Sequence, residues 1–144
     1  MKNLANITLC CVDTRNHTLA EAAIDRCTAE INFGEVLFFT NLAYAHEPQK
    51  AGVKAIALPD IKTSAEYSHF ILKELINYIK TPHVLIVQWD GFIINASNWD
   101  DRFLLYDYIG AVWPQFGDSR NVGNGGFSLR SKRLMERLLE PDIE

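Results

Sequence analysis

The chain predicts an α/β domain, a sandwich with helices on both faces of a mostly parallel central sheet. Three observations predict it. Short runs rich in β-branched and apolar residues alternate with amphipathic helical stripes. The first strand, helix and strand are spaced as a βαβ unit, whose two strands run parallel. Residues 84–93, VLIVQWDGFI, open with an unbroken apolar run that suits a strand covered on both faces. At 144 residues the chain is expected to form a single domain, 1–144.

The elements follow in order. A first strand is expected at residues 4–12, closed by the polar cluster Asp13-Thr14-Arg15-Asn16. Leu19, Ala23, Cys27 and Ile31 fall four apart with Ala20 and Ile24 beside them, one helical stripe, and Phe33-Gly34 reads as the glycine stop of that helix. Residues 35–40 (EVLFFT) form a second strand, 43–50 a loop, and 53–58 (VKAIAL) a third strand stopped by Pro59. Thr63 and Glu66 make a capping box for a helix that buries Tyr67, Phe70, Ile71, Leu75, Tyr78 and Ile79 before Thr81-Pro82 ends it. The central strand comes next and stops at Asp90. Residues 98–105 read as a short helix or turn capped by Asn98 or Asp100, 106–113 as a strand, 115–121 as a polar loop and 127–129 as a last short strand. Ser131 is placed to cap a final helix that turns Leu134, Met135, Leu138 and Leu139 inward.

Composition narrows the partners. A net charge of -4 with scattered Lys and Arg offers no footprint for nucleic acid or another polyanion. No stretch approaches the roughly 20 apolar residues of a membrane-spanning segment. The first residues are too β-like for a signal peptide, so a cytoplasmic location is expected. Cys10, Cys11 and Cys27 are odd in number and fall inside expected elements, as reduced core thiols do. His17, His46, His69 and His83 share no metal-ligand spacing. Oligomeric state is not encoded in any of these features.

In open α/β sheets, ligands bind outside the carboxyl ends of the strands. That edge is expected to carry Asp13, Thr14 and Arg15, then Thr40 and Asn41, Asp60, Asp90 and Trp113. The first loop has no glycine and no GxxxxGK[ST] motif occurs, which excludes a Rossmann dinucleotide site and a phosphate loop. Asp90 is the best single candidate. A hard divalent ion, Mg²⁺ or Mn²⁺, needs only one or two protein carboxylates when a substrate brings a diphosphate, and Gln88 projects to the same side as Asp90. The other reading of Asp90-Gly91 is a tight turn.

The stretch VGNGGFSLR, residues 122–130, reads as a tight backbone turn leading into a strand. Asn124, Gly125 and Gly126 either leave room for a sugar, with Asn124 bonding its hydroxyls, or form a plain turn. Trp113 is a platform for a sugar ring or a core side chain. Arg15 and Arg130 are candidates for a phosphate and a diphosphate, or else solvated surface arginines.

Taken together and in this order, QWDGFI, YDYIGAVW and VGNGGFSLRS resemble the motifs of a domain-of-unknown-function family read as glycosyltransferases of GT-A-like fold. The resemblance covers residues 67–139, about half the chain. The last motif is also distantly similar to the acceptor segment of β-1,4-galactosyltransferases, and QWD stands where GT-A enzymes carry a metal-binding DxD. The resemblance implies a Rossmann-like α/β/α sandwich of the nucleotide-diphospho-sugar transferase kind. It implies transfer of a sugar from a nucleotide-diphosphate sugar to a carbohydrate or other hydroxyl acceptor, assisted by Mn²⁺ or Mg²⁺. Asp13, Thr14, Arg15 and Gln88 would then border the donor, Asp90 would bind the metal, and Asn124, Gly125 and Gly126, with Trp113, would border the acceptor.

Gln88 in place of the first aspartate implies a weaker metal site or one that works without metal. The family pattern continues into an acidic segment expected to supply the general base. Glu144 stands at its expected start, so the chain is expected to be C-terminally truncated against that pattern, with Glu144 the one catalytic candidate. The alternative expectation is a non-catalytic nucleotide- or sugar-binding module. In a third, the chain is a structural interaction domain whose glycines are turns.

Overall fold

The computed structural model describes residues 1–112 and 122–140, and side chains at 1–110 and 126–140. Six strands form one sheet: β1 (Lys2–Val12), β2 (Ile31–Asn41), β3 (Val53–Leu58), β4 (His83–Val87), β5 (Tyr108–Val112) and β6 (Val122–Ser131). Their order is β3-β2-β1-β4-β6-β5. The ladders β1–β2, β2–β3 and β1–β4 are parallel, whereas β4–β6 and β5–β6 are antiparallel. The sheet is mixed, which corrects the expectation of a mostly parallel one. The link from β5 to β6 is shorter than the dozen or so residues a parallel crossover needs, so β6 returns against its neighbours.

Helices and turns cover both faces. On one face lie α1 (His17–Thr28) and the single turn α2 (Leu42–Ala45). With them is the segment after β4, which holds 3₁₀ turns at Ala96–Asn98 and Asp101–Leu105. They close over Leu9, Cys11, Phe38, Leu85 and Val87. On the other face, α3 (Ser64–His69) widens into a π-turn at Phe70–Glu74 and tightens to 3₁₀ at Leu75–Tyr78. Together with α4 (Lys132–Arg137) it covers Cys10, Leu37, Phe39, Val84 and Ile86. The three cysteines are free and buried, as expected of core thiols. Among the described residues no helix is long and apolar enough to cross a membrane.

Several expected boundaries move, each for a local reason. The stripe of α1 is Ala20, Ala23, Ile24 and Cys27, while Leu19 stays 49% exposed and Ile31 already belongs to β2. Gly34 does not stop α1. It lies inside β2 opposite an irregularity of β1 between Leu4 and Thr8, where a Cβ would sit 2.2 Å from the Ala5 carbonyl oxygen. Only a residue without a side chain fits that close approach.

Thr63 caps α3 as the capping box predicts: its hydroxyl accepts the Glu66 N–H at 3.1 Å. In 98–105 the cap is Asp100, which accepts the Arg102 N–H at 2.9 Å, and not Asn98. Ser131 caps α4 by accepting the Leu134 N–H at 3.0 Å, but α4 buries only Met135 and leaves Leu139 exposed.

The stretches 84–93 and 122–130 also change form. β4 ends at Val87, not at Asp90. Gln88 and Gly91 then exchange backbone hydrogen bonds at 2.9 and 3.1 Å, closing a tight turn with Trp89 and Asp90 at its tip. The glycine-rich stretch is not a turn before a strand but part of β6. Against β5 the register steps from Gly110↔Ser128 to Ala111↔Asn124, so residues 125–127 bulge out of the ladder. Trp113, the polar loop at 115–121 and Glu144 lie outside the described residues.

Candidate functional site at the β1–β4 switch point

β1 has β2 on one side and β4 on the other. The chain leaves β1 through α1 toward β2 and β3, then comes back across the sheet to β4. The strand order therefore reverses between β1 and β4, the place where open α/β sheets open a crevice at their carboxyl ends. A cleft of ≈ 160 Å³ lies there, walled by Asp13, Thr14 and Arg15 after β1, Ile61 after β3, Tyr67 of α3, and Gln88 with Trp89 after β4.

Four residues expected to border a donor, Asp13, Thr14, Arg15 and Gln88, thus share one cleft. The geometry explains what each already does. Asp13 Oδ1 accepts the backbone N–H groups of Arg15 at 2.8 Å and Asn16 at 2.7 Å, an Asx-type lock that turns the chain into α1. Thr14 is buried; its hydroxyl donates to the Ile61 carbonyl at 3.3 Å and accepts the Ile61 N–H at 3.1 Å, tying the segment after β3 to the cleft wall. Arg15 donates from Nη2 to the Lys62 carbonyl at 3.2 Å and remains exposed.

Asp90 stands on the turn just past Gln88 and Trp89 but does not itself wall the cleft. It is exposed, and no hydrogen bond or ion pair engages it among the described residues. Its turn packs on β6: a Cβ on Gly91 would lie 3.2 Å from Phe127 Cβ and 3.8 Å from the Gly126 carbonyl oxygen. Asp90 and the glycine-rich stretch therefore meet at one edge of the sheet. Side chains at Asn124 and Gly125 lie outside those described, as does Trp113.

The sequence did not single out two contributors, Trp89 and Tyr67, and left the burial of a third, Arg130, open. Trp89, 43% exposed, adds an aromatic wall to the cleft. Tyr67 was read only as part of a helix's buried face, yet it walls the cleft with its hydroxyl enclosed and unpartnered. The Gln88 side chain stands beside that hydroxyl and draws its pKa down, without hydrogen-bond geometry, against a larger upward push from burial. Arg130 is 6% exposed and so is no surface arginine. Only the period-2 face it shares with Ser128 could have signalled that burial.

Residues 51–144 match the family described as Protein of unknown function (DUF5672). The chain belongs to this family. The match takes in Ile61, Tyr67, the Gln88 turn and β6, that is, one wall of the cleft and the edge beside it, and the family's description states no activity. The wall made by Asp13 to Arg15 lies outside the matched residues. No curated protein matches the chain.

Other hollows carry less chemistry. A groove of ≈ 590 Å³ on the α1 face, lined by Leu85, Phe92, Trp99, Phe103 and Phe127 among others, has no titratable side chain. A second groove, beside α3, is lined by Asp60, Glu66, His69 and Glu74. Among the described residues no three His, Cys, Asp or Glu side chains cluster as a metal site would require.

Proposed function

We propose that this chain binds a nucleotide-diphosphate sugar at the β1–β4 cleft and transfers the sugar to a hydroxyl acceptor, as a glycosyltransferase of GT-A-like fold. One observation carries the reading: residues far apart in sequence, Asp13 to Arg15 and Gln88, converge on the switch-point cleft with an unengaged carboxylate, Asp90, on the adjoining turn. Polar groups wall the cleft and Trp89 offers an aromatic face, a combination that suits a charged ligand carrying a flat base or a sugar ring.

The residues fit a divalent ion in a limited way. Asp90 offers one free carboxylate, and a Mg²⁺ or Mn²⁺ ion bound by one carboxylate takes its remaining ligands from diphosphate oxygens and water. Such an ion would neutralise charge on the departing diphosphate. The protein's own part is to hold the donor, with Arg15 after β1 and Gln88 and Trp89 after β4 walling the cleft. Acceptor hydroxyls would approach from the glycine-rich start of β6, beside the Gly91 turn.

A specific observation favours the second reading, a binding module without turnover. The carboxylate that walls the cleft, Asp13, is committed to its turn through Oδ1, so no described carboxylate in the cleft stands ready as a general base. Incubation of the chain with UDP-sugars and Mn²⁺, scored for released UDP with and without simple glycoside acceptors, separates the two. Release of UDP supports transfer, and tight binding with no release supports the module. No binding of any nucleoside diphosphate would contradict both.

A further inference from the structure

Arg130 lies on the β6 face turned toward α3, more than nine-tenths buried. A buried guanidinium is ordinarily matched by a carboxylate, because removing its charge from water costs several kcal/mol. Here the neighbours are neutral. Arg130 Nε donates to Ser128 Oγ at 3.2 Å, and the guanidinium carbon sits 5.1 Å from the centre of the Tyr108 ring. No carboxylate pairs with it among the described residues. The groups that feel its charge are Tyr108, Tyr67 and Cys10, and burial pulls its pKa below the usual arginine range. Tyr67 is a wall of the switch-point cleft and packs on the same sheet face as Arg130, against the cluster that holds Val84 and Ile86, the β4 partners of Arg130 and Ser128. A positive charge with no counter-ion among the described residues is thus buried on the sheet face against which that wall packs, in surroundings where its field is weakly screened.

We propose that Arg130 is the buried cation that makes the β1–β4 cleft an anion site, its counter-charge supplied by the phosphate oxygens of a diphosphate ligand touching Gln88. This deepens the nucleotide-sugar reading and rests on it only for the identity of the ligand, since inorganic pyrophosphate carries the same chemistry. Arg130 acts through the wall and not by contact, as a positioning charge. The free protein bears the cost of the unpaired cation, and the bound anion relieves it. The carboxylates on the same edge work against the attraction, but Asp60 and Asp90 are exposed and screened, and half-buried Asp13 is engaged by the Arg15 and Asn16 N–H groups.

The test measures binding of inorganic pyrophosphate, UDP and uridine by calorimetry without divalent ions, together with the melting temperature of each free protein. The proteins compared are the full chain, Arg130→Met and Arg130→Lys. The expected result is that Arg130→Met weakens pyrophosphate and UDP by about tenfold or more and leaves uridine unchanged, while the free variant melts no lower than the parent. Arg130→Lys should keep the preference for phosphorylated ligands. A purely structural arginine would give the opposite pattern, a lower melting temperature with anion affinity intact, and that overturns the inference. Binding of UDP equal in parent and Arg130→Met refutes this role for Arg130 while sparing the nucleotide reading. Binding of pyrophosphate that depends on Arg130, with no preference for UDP, upholds the anion site and removes the nucleotide. If the parent binds neither, the anion site falls, and if UDP stays unbound when Mn²⁺ is added the nucleotide reading falls with it.

Discussion

Two carboxylates at the sheet's edge show how one residue type is put to two uses. Asp13 spends Oδ1 on two backbone N–H groups, whereas Asp90 has no partner among the described residues. Asp13→Asn keeps an acceptor oxygen and is expected to leave stability unchanged, as urea melts would show. Asp90→Asn removes the free charge and is expected to weaken Mn²⁺-dependent UDP binding on the order of tenfold or more, with the fold intact by circular dichroism. Equal Mn²⁺-dependent affinity in that variant would remove the metal role. Asp100 gives a pH signature. The side chain of Arg102, then its backbone N–H, holds the Asp100 carboxyl down at about 2. A carboxyl depressed on folding contributes stability above its unfolded pKa, near 4, and loses it as pH falls through the folded value. Acid unfolding of the parent between about pH 4 and pH 2 should therefore be steeper than that of Asp100→Asn.

β2 and α3 show where the pattern of apolar residues speaks and where it is silent. The position of β3, the capping box at Thr63, the cap at Ser131 and the buried run in β4 were all legible, because each rests on a local rule of period or hydrogen bonding. Gly34 was misread because its requirement is tertiary: the glycine is demanded by the Ala5 carbonyl of another strand, and no neighbour in sequence announces that. Gly34→Ala is expected to cost about 3 kcal/mol in urea unfolding, since backbone must move to admit the methyl group. Thr63→Ala should cost about 1 kcal/mol through loss of the cap. A cost for Gly34→Ala no larger than for Thr63→Ala would contradict the close packing of β1 on β2. The glycines of β6 carried the same ambiguity. Three glycines near an asparagine specify an irregular backbone but not whether it is a turn or a bulge, and only the register against β5 decides it.

For the assembled molecule, the mixed sheet is what brings the candidate site together. The parallel ladders leave Asp13 to Arg15 and Gln88 at one edge, and β6, running the other way, starts at that same edge and brings Gly126 against the Gly91 turn. The ends of β1, β2 and β3 were legible from sequence, and with them the wall from Asp13 to Arg15, while β4 ends three residues before its expected stop. The order of strands, the burial of Arg130 and the place of Tyr67 in the cleft wall were not legible, because they depend on which faces meet after folding. Everything functional depends on the cleft being a ligand site. Thermal unfolding of the full chain with and without UDP and Mn²⁺ measures that, since a ligand at about 100 times its dissociation constant adds about 2.7 kcal/mol to stability. A rise in melting temperature that is lost when Gln88 and Arg15 are replaced by alanine is the predicted result, and an unchanged melting temperature with every nucleoside diphosphate would contradict it.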